Sequence, residues 1–153
     1  MANFLGKLLL FGFFLCASLT GCSPSLGTIF HFQPPISPQK AVVYLYRLKE
    51  GMEPGYPIGI SADKFFLGSL PFNSYVRYEV ASGEVEFSTK FLLGYTESVT
   101  LDTEANATYF LKVEMRAGGF LINHAIITRI FPEEAIQEIR YCRQVLAKNK
   151  NTL

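Results

Sequence analysis

Tryptophan is missing from this chain of 153 residues, aspartate and histidine occur only twice each, and cysteine three times. Those scarcities remove whole classes of chemistry. A metal centre needs several His, Cys or carboxylate ligands, usually with close-spaced pairs. His31, His124 and Cys142 are far apart in sequence, so neither a metal nor another cofactor is expected. The G-x-S-x-G elbow, the Walker loop and the dinucleotide fingerprint are all absent. Asp63 and Asp102 fall at the ends of β-type runs, where turn formation accounts for them. Glu133 and Glu134 are neighbours on an expected helix, so they point in different directions, and the helix start explains them without acid–base work. No catalytic residue is assigned. An excess of one charge is lacking too, with fourteen Lys and Arg against thirteen Asp and Glu. Arg47, Lys49, Lys64, Arg77 and Lys90 are scattered among acids, whereas a surface that binds a polyanion gathers its cations in a stripe. Nucleic acid is therefore excluded as a partner.

What the chain does have begins with an apolar run, Leu8 to Leu19, preceded by the lone cation Lys7. A membrane-spanning helix needs roughly 20 apolar residues, while a run of about 7 to 15 fits the core of a secretory signal. Directly after the run, Leu19-Thr20-Gly21-Cys22 resembles a bacterial lipobox. The resemblance implies cleavage between Gly21 and Cys22, lipid on the Cys22 sulfur and an acyl group on the new amino terminus. Each buried methylene contributes about 0.8 kcal/mol, so one acyl chain binds a bilayer marginally and two or more anchor it stably. Ser23 stands where an aspartate would signal retention in the inner membrane. The expected location is thus the cell envelope, at the outer membrane and facing the periplasm if the host has two membranes. Residues 1–21 are read as the signal peptide, 22–40 as the lipidated cysteine with a Pro-rich tether, and 41–153 as one domain.

Cleavage removes Lys7 and Cys16, which balances the formal charge and leaves Cys142 as the one thiol free of lipid. A lone thiol closes no intramolecular bridge, so an exported domain of this kind rests on packing. Residues 41–153 are enough for a real core. In the tether, SPSLGTIFHFQPPISPQK, four prolines argue against a regular element, while Ile29, Phe30 and Phe32 are apolar enough to dock part of it on the domain or on lipid headgroups.

From Ala41 to Phe131 eight β-type runs alternate with turn chemistry, a spacing that predicts an all-β antiparallel sandwich. Ala41 to Leu48 is apolar almost throughout, as a central strand covered on both faces would be. Tyr56 to Ala62 leads through the Asp63-Lys64 turn into Phe65 to Leu70, and Ser74 to Val80 turns at Ser82-Gly83 into Glu84 to Lys90. There Val85 and Phe87 alternate with Glu84, Glu86 and Ser88 in the clearest half-buried pattern of the chain. Tyr95 to Leu101 follows Gly94. Thr108 to Arg116, with Tyr109, Leu111, Val113 and Met115 on one face, forms a long hairpin with Phe120 to Phe131 across Gly118-Gly119. After Pro132 the period changes. Glu133 and Glu134 suit a helix start, and Ala135, Ile139, Cys142 and Leu146 predict one C-terminal amphipathic α-helix lying on the sandwich.

Residues 41 to about 145 resemble a bacterial lipoprotein domain, domain of unknown function 2846. The likeness lies in Val43-Tyr44-Leu45-Tyr46-Arg47, Phe66-Leu67-Gly68-Ser69-Leu70, Asn73-Ser74-Tyr75, Gly83 before Val85 and Ala107-Thr108-Tyr109-Phe110, with Asp63-Lys64 in place of an Asp-Gly turn. It implies a small sandwich of the transthyretin or carboxypeptidase-regulatory kind on a lipid anchor, with no assigned activity.

Three functional expectations follow. The first is a non-enzymatic envelope lipoprotein, joined to the membrane through Cys22 and binding or supporting another envelope protein or glycan. If exposed, Phe72 and Tyr75 would form its docking patch. The second is a module for a small ligand or glycan, with a pocket at one end of the sandwich lined by Tyr44, Tyr46 or Tyr78. The third, an enzyme using Cys142 and His124, needs those side chains within hydrogen-bond reach. His124 alternates with Ile122 and Ile126 and reads as a core or interface histidine, and Cys142 reads as a buried thiol in an apolar stripe. Asn106-Ala107-Thr108 has the form of a glycosylation sequon, but turn usage suits a bacterial envelope better.

Overall fold

A computed structural model describes residues 25–50, 55–90, 96–117 and 123–146. Ten strands and one helix occur among them: β1 (Leu26–Ile29), β2 (Lys40–Arg47), β3 (Ile58–Ala62), β4 (Phe65–Leu70), β5 (Ser74–Ala81), β6 (Gly83–Lys90), β7 (Ser98–Thr103), β8 (Thr108–Ala117), β9 (Asn123–Ile130), α1 (Pro132–Ile139) and β10 (Arg143–Val145). They build an antiparallel-rich sandwich. One sheet runs β1-β10-β5-β2-β8-β9 and the other β4-β3-β6-β7. Two pairings, β2 with β8 and β10 with β5, are parallel. The helix is too short to cross a membrane, and no other among the described residues does so.

The apolar run of β2 acquires two cores, one on each face. Ala41, Val43 and Leu45 point toward the second sheet and meet Ile58, Ile60, Leu70, Val85, Phe87, Leu111 and Val113. Val42, Tyr44 and Tyr46 point the other way, into a layer formed by α1 and the segment around Phe30. Rings set that second core. Tyr44 stacks on Phe110 at 5.3 Å and takes the edge of Phe30 at 5.3 Å, the geometries that aromatic quadrupoles favour. The alternation expected in β6 is present, with Val85 and Phe87 buried and Glu84 and Glu86 exposed. The Asp63-Lys64 turn is present too. Asp63 adopts φ +48°, a left-handed value that aspartate tolerates, and its backbone N–H donates to the carbonyl of Glu86 at 2.7 Å. The Gly118-Gly119 turn, Gly94, Tyr95 and Phe120 to Ile122 lie outside the described residues, although the β8–β9 pairing they were expected to join is antiparallel.

Two expectations need correction. The closing helix ends at Ile139, not beyond Leu146. The chain turns at Arg140-Tyr141 and re-enters the first sheet as β10, between β1 and β5. Pairing satisfies backbone groups on both neighbours, with the Arg143 N–H donating to the carbonyl of Asn73 at 2.9 Å and the Leu146 N–H to that of Ser25 at 3.1 Å. Cys142 stays in the core that Ala135 and Ile139 fill, but Val145 reaches the opposite face of the sheet and Leu146 is exposed. The proline-rich stretch docks on the domain from Leu26 onward, as its apolar residues allowed, but it was expected to hold no regular element and does hold one. It contributes β1 and then lies across the first sheet: Phe30 is buried, the Gln33 N–H donates to Tyr44 Oη at 3.0 Å, and Arg77 Nη2 donates to the carbonyl of Pro34 at 3.0 Å. The Ile36 N–H donates to Glu79 Oε1 at 3.0 Å, which with Arg77 holds that carboxyl below its ordinary range.

Candidate functional site

The second sheet has fewer strands than the first, so its edge strand β4 lies over β5 and β10 and leaves a cleft beside them. The cleft measures about 260 Å³ and is lined by Phe66 and Leu67 of β4, Val76 and Tyr78 of β5, and Val145 and Leu146 at the chain's return, among others. A bulge shapes its floor. The register of β4 against β3 shifts between Ile60 and Ser61, and Gly68 follows with φ +150°. A Cβ at Gly68 would stand 3.3 Å from Val145 Cγ1, so glycine there serves both the backbone angle and the close approach of β10. Of its lining residues, Phe66 is 65 % exposed and Leu146 48 %.

Phe72 and Tyr75, a docking patch only if exposed, do not meet that condition. Tyr75 is 3 % exposed and meets the Phe30 ring edge to face, and Phe72 is half-buried beneath the Arg47 guanidinium, 4.3 Å from its ring centre. The hairpin places other rings outside, Phe65 and Phe66 of β4. Of the three tyrosines expected to line a pocket, Tyr78 borders the cleft, while Tyr44 and Tyr46 are fully buried in the second core. Cys22 lies outside the described residues.

A polar cluster sits at the other side of the first sheet. Lys112 Nζ of β8 meets Glu50 at 2.7 Å, Glu138 of α1 at 2.8 Å and Glu114 at 3.2 Å, and Tyr46 Oη donates to Glu138 Oε2 at 2.5 Å. Burial opposes the Lys112 charge, but the three carboxylates outweigh it and push its pKa up. Burial also raises Tyr46, and the carboxylate of Glu138 adds to the rise. Both groups therefore stay protonated at neutral pH, and the cluster acts as a tie between α1 and β8, not as an acid–base pair. Lys112 and Glu114 share a face of β8, which the sequence period shows. Glu138 joins them only through the fold.

Cys142 is fully buried, its Sγ 4.0 Å from the carbonyl of Arg47. Burial first, and then Glu138, push the thiol up to about 12, far from the thiolate that nucleophilic attack requires. His124 lies on the edge strand β9, with Nδ1 3.9 Å from a carboxylate oxygen of Glu97. The expected result is that a maleimide leaves Cys142 unlabelled in the native protein at neutral pH and labels it once denaturant unfolds the chain. Rapid native labelling would restore the Cys142–His124 enzyme reading. Among the described residues, no three His, Cys, Asp or Glu side chains gather where they could hold a metal. No known family, curated protein or solved structure matches the chain.

Proposed function

We propose that this chain is a lipid-anchored cell-envelope protein whose β-sandwich binds or supports another envelope component and performs no catalysis of its own. The observation that carries the reading is Leu19-Thr20-Gly21-Cys22 directly after a short apolar run. In this reading the anchor is lipid on Cys22, the resident membrane is the outer one in a two-membrane host, and the partner is an envelope protein or a glycan. The family likeness noted above rests on sequence pattern alone and adds a lipoprotein context without an activity. Cells grown with a clickable palmitate analogue test it. The wild-type chain should carry the label and sediment with membranes, and Cys22→Ala should lose the label. An unlabelled wild type, or a Cys22→Ala chain labelled equally, sinks the anchor.

The cleft favours a second reading, a module for a small apolar ligand or glycan. Its volume falls just below the roughly 300 to 1,000 Å³ of ordinary ligand sites, and it combines apolar walls with Tyr78 and Gln144. Native mass spectrometry of the detergent-released chain separates the two. A small molecule retained beyond the lipid on Cys22 favours the ligand module, and its absence favours surface recognition.

A further inference from the structure

β10 is shorter than the strand it joins. β5 runs from Ser74 to Ala81, and β10 is registered against it only at Ser74 and Tyr75. β10 ends at Val145, and among the described residues no strand takes its place beside Arg77, Tyr78 and Glu79. The N–H and C=O of one strand residue point to the same side, and those of the next residue to the other. The Val42 N–H donates to the carbonyl of Ala107 on the β8 side, so Val43 turns its own groups toward β5, where Tyr78 is its partner. At the opposite edge of β5 the carbonyl of Asn73 accepts from Arg143 of β10. Tyr78 and Val80 are therefore bonded to β2, whereas the Arg77 carbonyl and both backbone groups of Glu79 face the edge that β10 has left. The segment at Pro34 and Ile36 bonds the Arg77 and Glu79 side chains on the outer face, and no bond to these three backbone groups occurs among the described residues.

The cleft lies against this open stretch. Val76 and Tyr78 of β5, Val145 at the end of β10 and Leu67 of β4 supply its apolar walls, and all four pack in or against the inter-sheet core. At about 260 Å³ it is smaller than ordinary ligand sites and suits side chains better than a whole ligand. Arg77 borders it too, and its Nε is buried with no hydrogen-bond partner among the described residues. An unfilled backbone row beside an apolar pocket is how a sheet takes up an extended segment: main-chain bonds hold the segment, and the pocket selects among its alternate side chains. The chain's own continuation lacks such a side chain, because Ala147 to Thr152 holds nothing apolar larger than alanine.

We infer that β5 from Arg77 to Glu79 takes an extended segment of a partner protein as an added strand, continuing the line of β10, with one apolar side chain of that segment between the sheets. The inference rests on the reading of this domain as a binder of another envelope component, and it gives that component its chemistry: an unpaired polypeptide segment with an apolar residue flanked by polar ones. Neighbouring residues of a strand face opposite ways, so an acceptor side chain next to the apolar residue would meet Arg77 Nε.

The detergent-released full-length chain is used to select from displayed short random peptides, and the tightest is synthesised free. Amide exchange is then read residue by residue with and without it. In the free chain the Glu79 amide should exchange fast while those of Tyr78 and Val80 stay protected, and the peptide should slow Glu79 by about tenfold or more. Alanine in place of the peptide's apolar residue should weaken binding by about tenfold or more. N-methylation of one alternate set of its amides should abolish binding and of the other set spare it. A selection that yields no binder, a peptide that leaves Glu79 fast, or one indifferent to N-methylation would overturn the inference. So would a Glu79 amide already slow in the free chain, and its release in a chain ending at Leu146 would identify residues 147–153 as the filler. A small molecule held in the cleft that the peptide fails to displace would assign the cleft to the ligand reading and overturn the inference equally. Mass analysis of Cys22 keeps the two readings apart. With lipid on Cys22 and no strand addition, the anchor stands and the surface is wrong; with a bare Cys22 and a peptide that protects Glu79, the anchor falls and the surface stands.

Discussion

Replacing Arg47 with alanine should destabilise the domain by about 3 to 5 kcal/mol, the cost expected when a buried, charged hydrogen-bonding group is truncated and its acceptors are left behind. The side chain is fully buried at the end of β2. Its Nη1 donates to the carbonyl of Tyr56 at 2.7 Å and to that of Leu70 at 3.3 Å, so it ties the approach to β3 and the end of β4 to the central strand of the first sheet. Its guanidinium also covers Phe72. Alanine removes the volume, the donors and the cover together, in a core that cannot collapse around the loss because β2 is held on both sides by β5 and β8. Lysine should rescue little, since an ammonium on a flexible stem does not reproduce the planar fork. Urea denaturation of wild type, Arg47→Ala and Arg47→Lys measures it. A midpoint unchanged in Arg47→Ala would show that the tie contributes nothing.

The second large effect concerns α1. With eight residues it is too short to be stable alone in water, and its N-cap makes no side-chain hydrogen bond, so packing must hold it. Ile139 is fully buried in the core shared by Val42, Tyr44, Tyr46, Phe110 and Cys142. Ile139→Ala should therefore lower stability by about 2 to 5 kcal/mol through lost burial and the cavity left behind. The tie from Lys112 to Glu138 anchors the same helix from its polar side. An unchanged denaturant midpoint together with loss of a partner's binding would make α1 an interaction element and not a structural one.

The elements legible in the sequence were those marked by a local signal, whether bounding turns, an alternation or an unbroken apolar run. β4 spans the residues expected of it, β6 shows its alternation, and the two-sided burial of β2 follows from its unbroken apolar run. β1 and β10 were not legible. β1 is four residues beside a proline-rich stretch, and β10 is three residues inside a stretch whose Ala135, Ile139 and Cys142 continue a helical spacing. Both exist because each pairs with the other, and β10 with β5, contacts between residues far apart in sequence. The same reason hid the cleft, whose walls come from β4, β5 and the chain's return at Val145 and Leu146 and share no motif, whereas the Cys22 motif is contiguous. Phe72 and Tyr75 stayed open between core and docking patch because aromatic content near a turn does not reveal which face a ring takes. Tyr75 is opposite Tyr46 on β2, and the two share the face under α1.

The account turns on Cys22, and the mass of the mature amino terminus tests it most directly. The chain is recovered from bacterial membranes, cleaved with a protease, and its first peptide weighed. The predicted peptide begins at Cys22 with lipid on the sulfur and an acyl group on the new amino nitrogen. A chain that retains residues 1–21, or one that begins elsewhere with Cys22 unmodified, would contradict the account.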